Sequence, residues 1–68
     1  MADELKTLQI WRSEPWSRAA PRQIKLLFTD ATGAAWLQWN YPGWPQRAQA
    51  VSERSFRAWI RRNGAQPE

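Results

Sequence analysis

The stretch that most constrains this chain is residues 23–40, which reads as two strands joined by a tight reversal. Ile24, Leu26 and Phe28 alternate with Lys25, Leu27 and Thr29, the period of a half-buried strand. Asp30-Ala31-Thr32-Gly33 follows. An Asp that opens a type I turn, with Gly supplying positive φ three residues later, is the chemistry of a bulged hairpin. Setting Asp30 against Ala34 places Phe28 across from Trp36, Leu27 across from Leu37 and Lys25 across from Trp39 in a returning strand over 34–40. Both faces of this hairpin then carry large apolar side chains.

The rest of the chain supplies one more strand and one helix. Residues 7–12 alternate, with Leu8 and Ile10 on one side and Thr7, Gln9 and Trp11 on the other, which predicts a strand. Residues 13–21 hold Pro15 and Pro21 and read as a loop. Tyr41-Pro42-Gly43-Trp44-Pro45 can neither continue a strand nor sit inside a helix, because proline lacks an N–H and fixes φ. Residues 52–62 read as a helix. Ser52 is the N-cap, Glu53 suits the positive end of the dipole, Arg61 and Arg62 suit the negative end, and Gly64 stops it.

The expected fold is α+β, a three-stranded antiparallel sheet over residues 7–12, 23–29 and 34–40 with one C-terminal α-helix packed on one face. Phe56, Trp59 and Ile60 would meet Ile24, Leu26, Phe28 and Trp36. Residues 1–68 would form a single small domain, with 1–5 and 65–68 as frayed termini. The opposite face, around Lys25, Leu27, Leu37 and Trp39 with Trp44 beside it, would be left for a partner protein or a second copy.

Composition narrows the means of holding such a fold together. A 68-residue chain buries only about 60% of the surface its unfolded form exposes. It contains no Cys and no His, so neither a disulfide nor a thiolate or imidazole metal site is expected. Six tryptophans, Trp11, Trp16, Trp36, Trp39, Trp44 and Trp59, are the available substitute, each burying roughly 150 to 250 Å². Six is more than one helix and a small sheet readily enclose, so one or two should lie partly exposed.

Catalysis is not expected. Without His or Cys, acid–base work falls to Asp3, Glu4, Glu14, Asp30, Glu53 and Glu68, most of which have structural roles or sit at the ends. Gly33, Gly43 and Gly64 are isolated and make no phosphate loop. No cofactor and no metal are predicted. Residues 1–6 are polar and no apolar run approaches a membrane span, which predicts a cytoplasmic protein with no membrane partner.

The net charge is +4, and eight of the ten cations are Arg. Guanidinium pairs bidentately with phosphate and carboxylate. On the predicted helix Arg54, Arg57 and Arg61 share a side away from Phe56, Trp59 and Ile60, and Arg47 and Arg62 extend the row. Such a row suits nucleic-acid phosphates, while Trp and Arg are equally the residues of protein interfaces.

Residues 51–64, Val-Ser-Glu-Arg-Ser-Phe-Arg-Ala-Trp-Ile-Arg-Arg-Asn-Gly, resemble the recognition half of helix-turn-helix proteins of the excisionase and MerR type. The resemblance implies a helix that enters the major groove with Ser52, Glu53, Arg54 and Arg57 facing the DNA. The expected function is a small nucleic-acid-binding regulator, with DNA ahead of RNA. The alternative is a protein-binding adaptor or inhibitor of the kind carried by phages and mobile elements, with homodimerisation through the same sheet face as a variant.

Overall fold

The computed structural model describes residues 4–43 and 47–68. A single helix lies on a five-stranded antiparallel sheet whose strand order is β4-β3-β2-β1-β5. The strands are β1 (Ile10–Arg12), β2 (Arg22–Thr29), β3 (Ala35–Asn40), β4 (Gln49–Ser52) and β5 (Gln66–Pro67), and α1 spans Glu53–Asn63. A 3₁₀ turn at Pro15–Ser17 interrupts the loop between β1 and β2. The α+β class and the C-terminal helix are as expected, but the sheet has five strands rather than three.

The β2–β3 hairpin forms as its turn chemistry dictates. The Asp30 N–H donates to the Ala34 carbonyl and the Gly33 N–H donates back to the Asp30 carbonyl, with Gly33 at φ +84°. Asp30 also accepts through Oδ1 from the backbone N–H groups of Thr32 and Ala34 and from the Thr32 hydroxyl. Phe28 pairs with Trp36 and Leu27 with Leu37, as the sequence reading places them.

Beyond Leu26 the register shifts, so that Ile24 and not Lys25 opposes Trp39. Lys25 is the extra residue of a β-bulge, which puts two residues of β2 against one step of β3. The consequence is a change of face. Without the bulge, Ile24 would point the same way as Leu26 and Phe28; with it, Ile24 turns to the side of Leu27, Leu37 and Trp39.

That is the side the helix covers. Ile24, Leu37, Trp39, Trp11, Phe56, Trp59, Leu5 and Ala65 form the buried core, with Val51, Ile60 and Ala19 packed at its margin. Leu37 is 0% and Trp39 5% exposed, whereas Leu26 and Phe28 retain 47% and 37%. The expectation that α1 would cover Leu26, Phe28 and Trp36 and leave Leu37 and Trp39 open is therefore reversed: the two faces exchange roles, and of the sheet residues expected under the helix Ile24 alone stays inside, while Phe56 and Trp59 of the helix are buried as expected.

The helix is secured at both ends. The Ser52 hydroxyl accepts the Ser55 N–H, the N-cap bond read from the sequence. At the other end Gly64 adopts φ +61°, and a Cβ there would lie 2.9 Å from Glu14 Cγ and 3.2 Å from Trp16 Cζ2. Only Gly fits both the left-handed backbone and the approach of the 3₁₀ turn.

Two strands were not legible. β4 pairs with β3 over four positions, Leu37 opposite Val51 and Trp36 opposite Ser52 among them, and β5 pairs with β1 at the far edge. Residues 65–68, expected to fray, are thus tied in: Ala65 is in the core, the Glu68 N–H donates to the Ile10 carbonyl, and Arg12 bridges Glu68 at 3.0 Å. Leu5, also expected to fray, is buried.

Candidate functional site

Three surfaces come out of this arrangement. The first is the outward side of α1. Phe56 and Trp59 are buried and Ile60 partly so. At 100° per residue this anchors one face and turns Arg54, Ala58 and Arg61 to the opposite one, with Arg57 and Arg62 at its flanks. Arg54, Arg61 and Arg62 are exposed and make no ion pair among the described residues. Arg57 differs: its Nε lies 3.0 Å from Glu53 Oε1 one turn back, so its charge is locally balanced. Arg47 is exposed in the segment leading into β4, off the helix.

The segment that resembles a recognition helix is therefore one strand end and one helix. Val51 and Ser52 belong to β4 and α1 begins directly after them. Of the four residues the resemblance points to, Arg54 is exposed, Ser52 caps the helix, and Glu53 and Arg57 pair with each other.

The second surface is the sheet face turned away from α1. It presents Leu26, Phe28 and Trp36, with Lys25 at the bulge and Gln38 opposite Leu26. Trp36 is held in place, its Nε1–H donating to Asp30 Oδ2 at 2.7 Å. The bonds from Thr32 and Trp36 lower the Asp30 carboxyl from 3.8 to about 2, because each donor favours the charged form. No described element lies over this face.

The third is a cleft of ≈ 390 Å³ where the hairpin runs past the first turn of α1. Glu4, Leu5, Leu27, Thr29, Ala35, Glu53 and Arg57 line it, together with Phe28 and Trp36. It is the strip of the helix-side face that an eleven-residue helix does not reach, and it explains why Leu27 stays 37% exposed although its partner Leu37 is fully buried. Its charged groups are Glu4 and the Glu53–Arg57 pair, and the two members of that pair balance each other.

The expected partner-binding set is thus split. Lys25 and Leu27 are exposed on opposite sides of the sheet, Leu37 and Trp39 are core, and Trp44 lies outside the described residues. What the sequence reading missed is Arg22. Its guanidinium sits between two core indoles, 3.9 Å from the centroid of Trp39 and 4.4 Å from that of Trp59. Burial lowers its pKa below the ordinary value, Tyr41 opposes that shift and Arg62 adds to it. The cation joins sheet to helix through the ring faces. The available signal was its place at the start of β2, opposite Trp11.

Among the described residues no three of His, Cys, Asp and Glu come together as metal ligands, and no helix is long and apolar enough to cross a membrane. Comparison with family models, curated proteins and solved structures finds no match, so the surfaces stand on their own geometry.

Proposed function

We infer that this protein is a small binding protein whose helix α1 engages nucleic-acid phosphates, duplex DNA ahead of RNA, without catalysis. One observation carries the reading: Arg54, Arg61 and Arg62 project from a single helix, exposed and without an ion pair among the described residues, while the opposite side of that helix is fixed in the core. Cations with no balancing acid among the described residues, held on a rigid element, suit an extended anion. Contacts of this kind position a backbone and carry no sequence information.

The test is a titration of labelled duplex over a salt series. Three phosphate contacts give a slope of log K against log salt of about −3, and Arg54→Gln or Arg61→Gln reduces it by about one each. No measurable affinity at low salt overturns the reading.

The exposure of Leu26 and Phe28 on the uncovered face favours a second reading, an adaptor that binds protein there. Its signature is a complex that survives nuclease, is insensitive to salt and is lost in Phe28→Ser. If Phe28→Ser leaves every such complex intact, that reading fails.

A further inference from the structure

β2 is longer than the strand beside it, and among the described residues the difference leaves part of its edge unpaired. β1 pairs with β2 only at Ile10–Gln23 and Trp11–Arg22. The last bonds on that side are Leu8 N–H to the Ile24 carbonyl and Ile24 N–H to the Gln9 carbonyl. There the chain turns off. The Gln9 N–H donates to the Lys6 carbonyl, Leu8 takes φ +69°, and the Gln9 Oε1 accepts from the Lys6 N–H and from Trp11 Nε1, while Leu5 drops into the core. Among the described residues none bonds to the backbone of residues 25–29 on that side.

The hairpin register says which groups point outward. Because Asp30 N–H bonds to Ala34, alternation makes Phe28–Trp36 a hydrogen-bonded pair and Leu27–Leu37 and Thr29–Ala35 non-bonded pairs. The N–H and C=O of Leu27 and Thr29 are therefore directed at the open edge.

We propose that a second copy of this chain occupies that edge, pairing antiparallel about a two-fold axis through Leu27. Leu27 exchanges both backbone bonds with the partner's Leu27. Thr29 stands opposite the partner's Lys25, and Phe28 opposite the partner's Leu26. The segment fits itself. Lys25, its single charge, meets a threonine rather than its own copy, and like charges directly opposed would oppose pairing. On the uncovered face each Phe28 comes to lie between its own Trp36 and the partner's Leu26, so the exposed apolar groups become a continuous stripe across a joined sheet. Arg54, Arg61 and Arg62 lie on the outward side of α1, while Glu4, Glu53 and Arg57 line the cleft beside Leu27 and Thr29, so this flank carries more acid than base on a chain of net charge +4. An acidic strand from another protein would find Glu4 and Glu53 there as well as Lys25 and Arg57, and so no net attraction.

Open apolar edges are ordinarily blunted by lysine or a bulge, and both devices occur here at residue 25. They end the pairing segment at one side, and among the described residues no strand pairs with Leu26, Leu27, Phe28 and Thr29 on that side. A 68-residue chain without Cys or His also gains the most from the burial a second copy supplies. The dimer does not depend on nucleic-acid binding, and the two fail separately: the arginine variants leave it intact.

Sedimentation equilibrium over a micromolar concentration series should give a dimer. Phe28→Lys should raise the dissociation constant by at least about tenfold with the far-ultraviolet dichroism unchanged. Because the chain contains no Cys, introduced cysteines report contacts between copies alone. Leu27→Cys under mild oxidation should form a covalent dimer, the bonded-pair Cα separation of about 5.5 Å being within disulfide reach. Thr32→Cys at the hairpin tip should cross-link at least about tenfold more slowly. A monomer throughout the series, a dimer indifferent to Phe28→Lys, or equal cross-linking at Leu27→Cys and Thr32→Cys overturns the proposal.

Discussion

The two faces of the sheet are built from similar residues and have opposite fates. Ile24, Leu37 and Trp39 lie under Phe56 and Trp59, while Leu26, Phe28 and Trp36 face outward. Hydrophobicity did not decide between them. The decision lies in the bulge at Lys25, which brings Ile24 to the Leu37 and Trp39 side, and in β4, which delivers α1 to that side. A face is inside because the chain's connections put a helix over it.

Two phenylalanines make the contrast measurable, since Phe56 is fully buried and Phe28 is 37% exposed. The largest effect should come from Phe56→Ala, a loss of about 4 kcal/mol, enough to leave the chain largely unfolded in a urea titration. Arg22→Ala comes next. It removes the cation between Trp39 and Trp59 and should cost about 2 kcal/mol, whereas Arg22→Lys keeps the charge and should recover part of that in the same titration. On the outer face Phe28→Ala should cost only about 1 kcal/mol in dilute protein. If Phe28→Ala matched Phe56→Ala there, the contrast between the faces would be wrong.

The smallest effect is a pH dependence at the hairpin tip. The Asp30 carboxyl titrates lower in the folded chain than in the unfolded one, about 2 against 3.8. Its contribution to stability is therefore fully present above the unfolded value and is lost as pH falls from there through the folded value. Asp30→Asn should flatten the decline in melting temperature over that interval and leave the near-neutral slope unchanged.

The hairpin and helix were legible because local chemistry specifies them. Asp30 and Gly33 set the turn and hence the Phe28–Trp36 and Leu27–Leu37 pairs, and Ser52 and Gly64 bracket the helix. The bulge was not, because Lys25 sits in unbroken alternation and nothing in its own residue type marks it as the extra one. β4 was hidden because Gln-Ala-Val-Ser has one apolar residue, Val51, to show for its inward side. β5 is two residues ending in proline and is strand only because β1 lies beside it. The arginine row was visible from spacing alone, but spacing does not show that Glu53 balances Arg57 while Arg54 and Arg61 have no ion pair among the described residues. The expected partner face failed for the same reason as the expected core: both rested on Ile24 sharing a side with Leu26 and Phe28.

The pairing of β5 with β1 has a bearing on the order of events as this chain folds. Arg12 and Glu68 meet across 56 positions of sequence, so the ladder that seals this edge encloses nearly everything between. The hairpin can close within microseconds, and α1 brings its own caps. β1 has no such local means, with three residues and a partner on each side. Its second partner, β5, follows α1 in the chain. A contact of that sequence separation cannot come from local steps alone, so removal of residues 66–68 would leave β1 with β2 as its one remaining strand neighbour among the described residues.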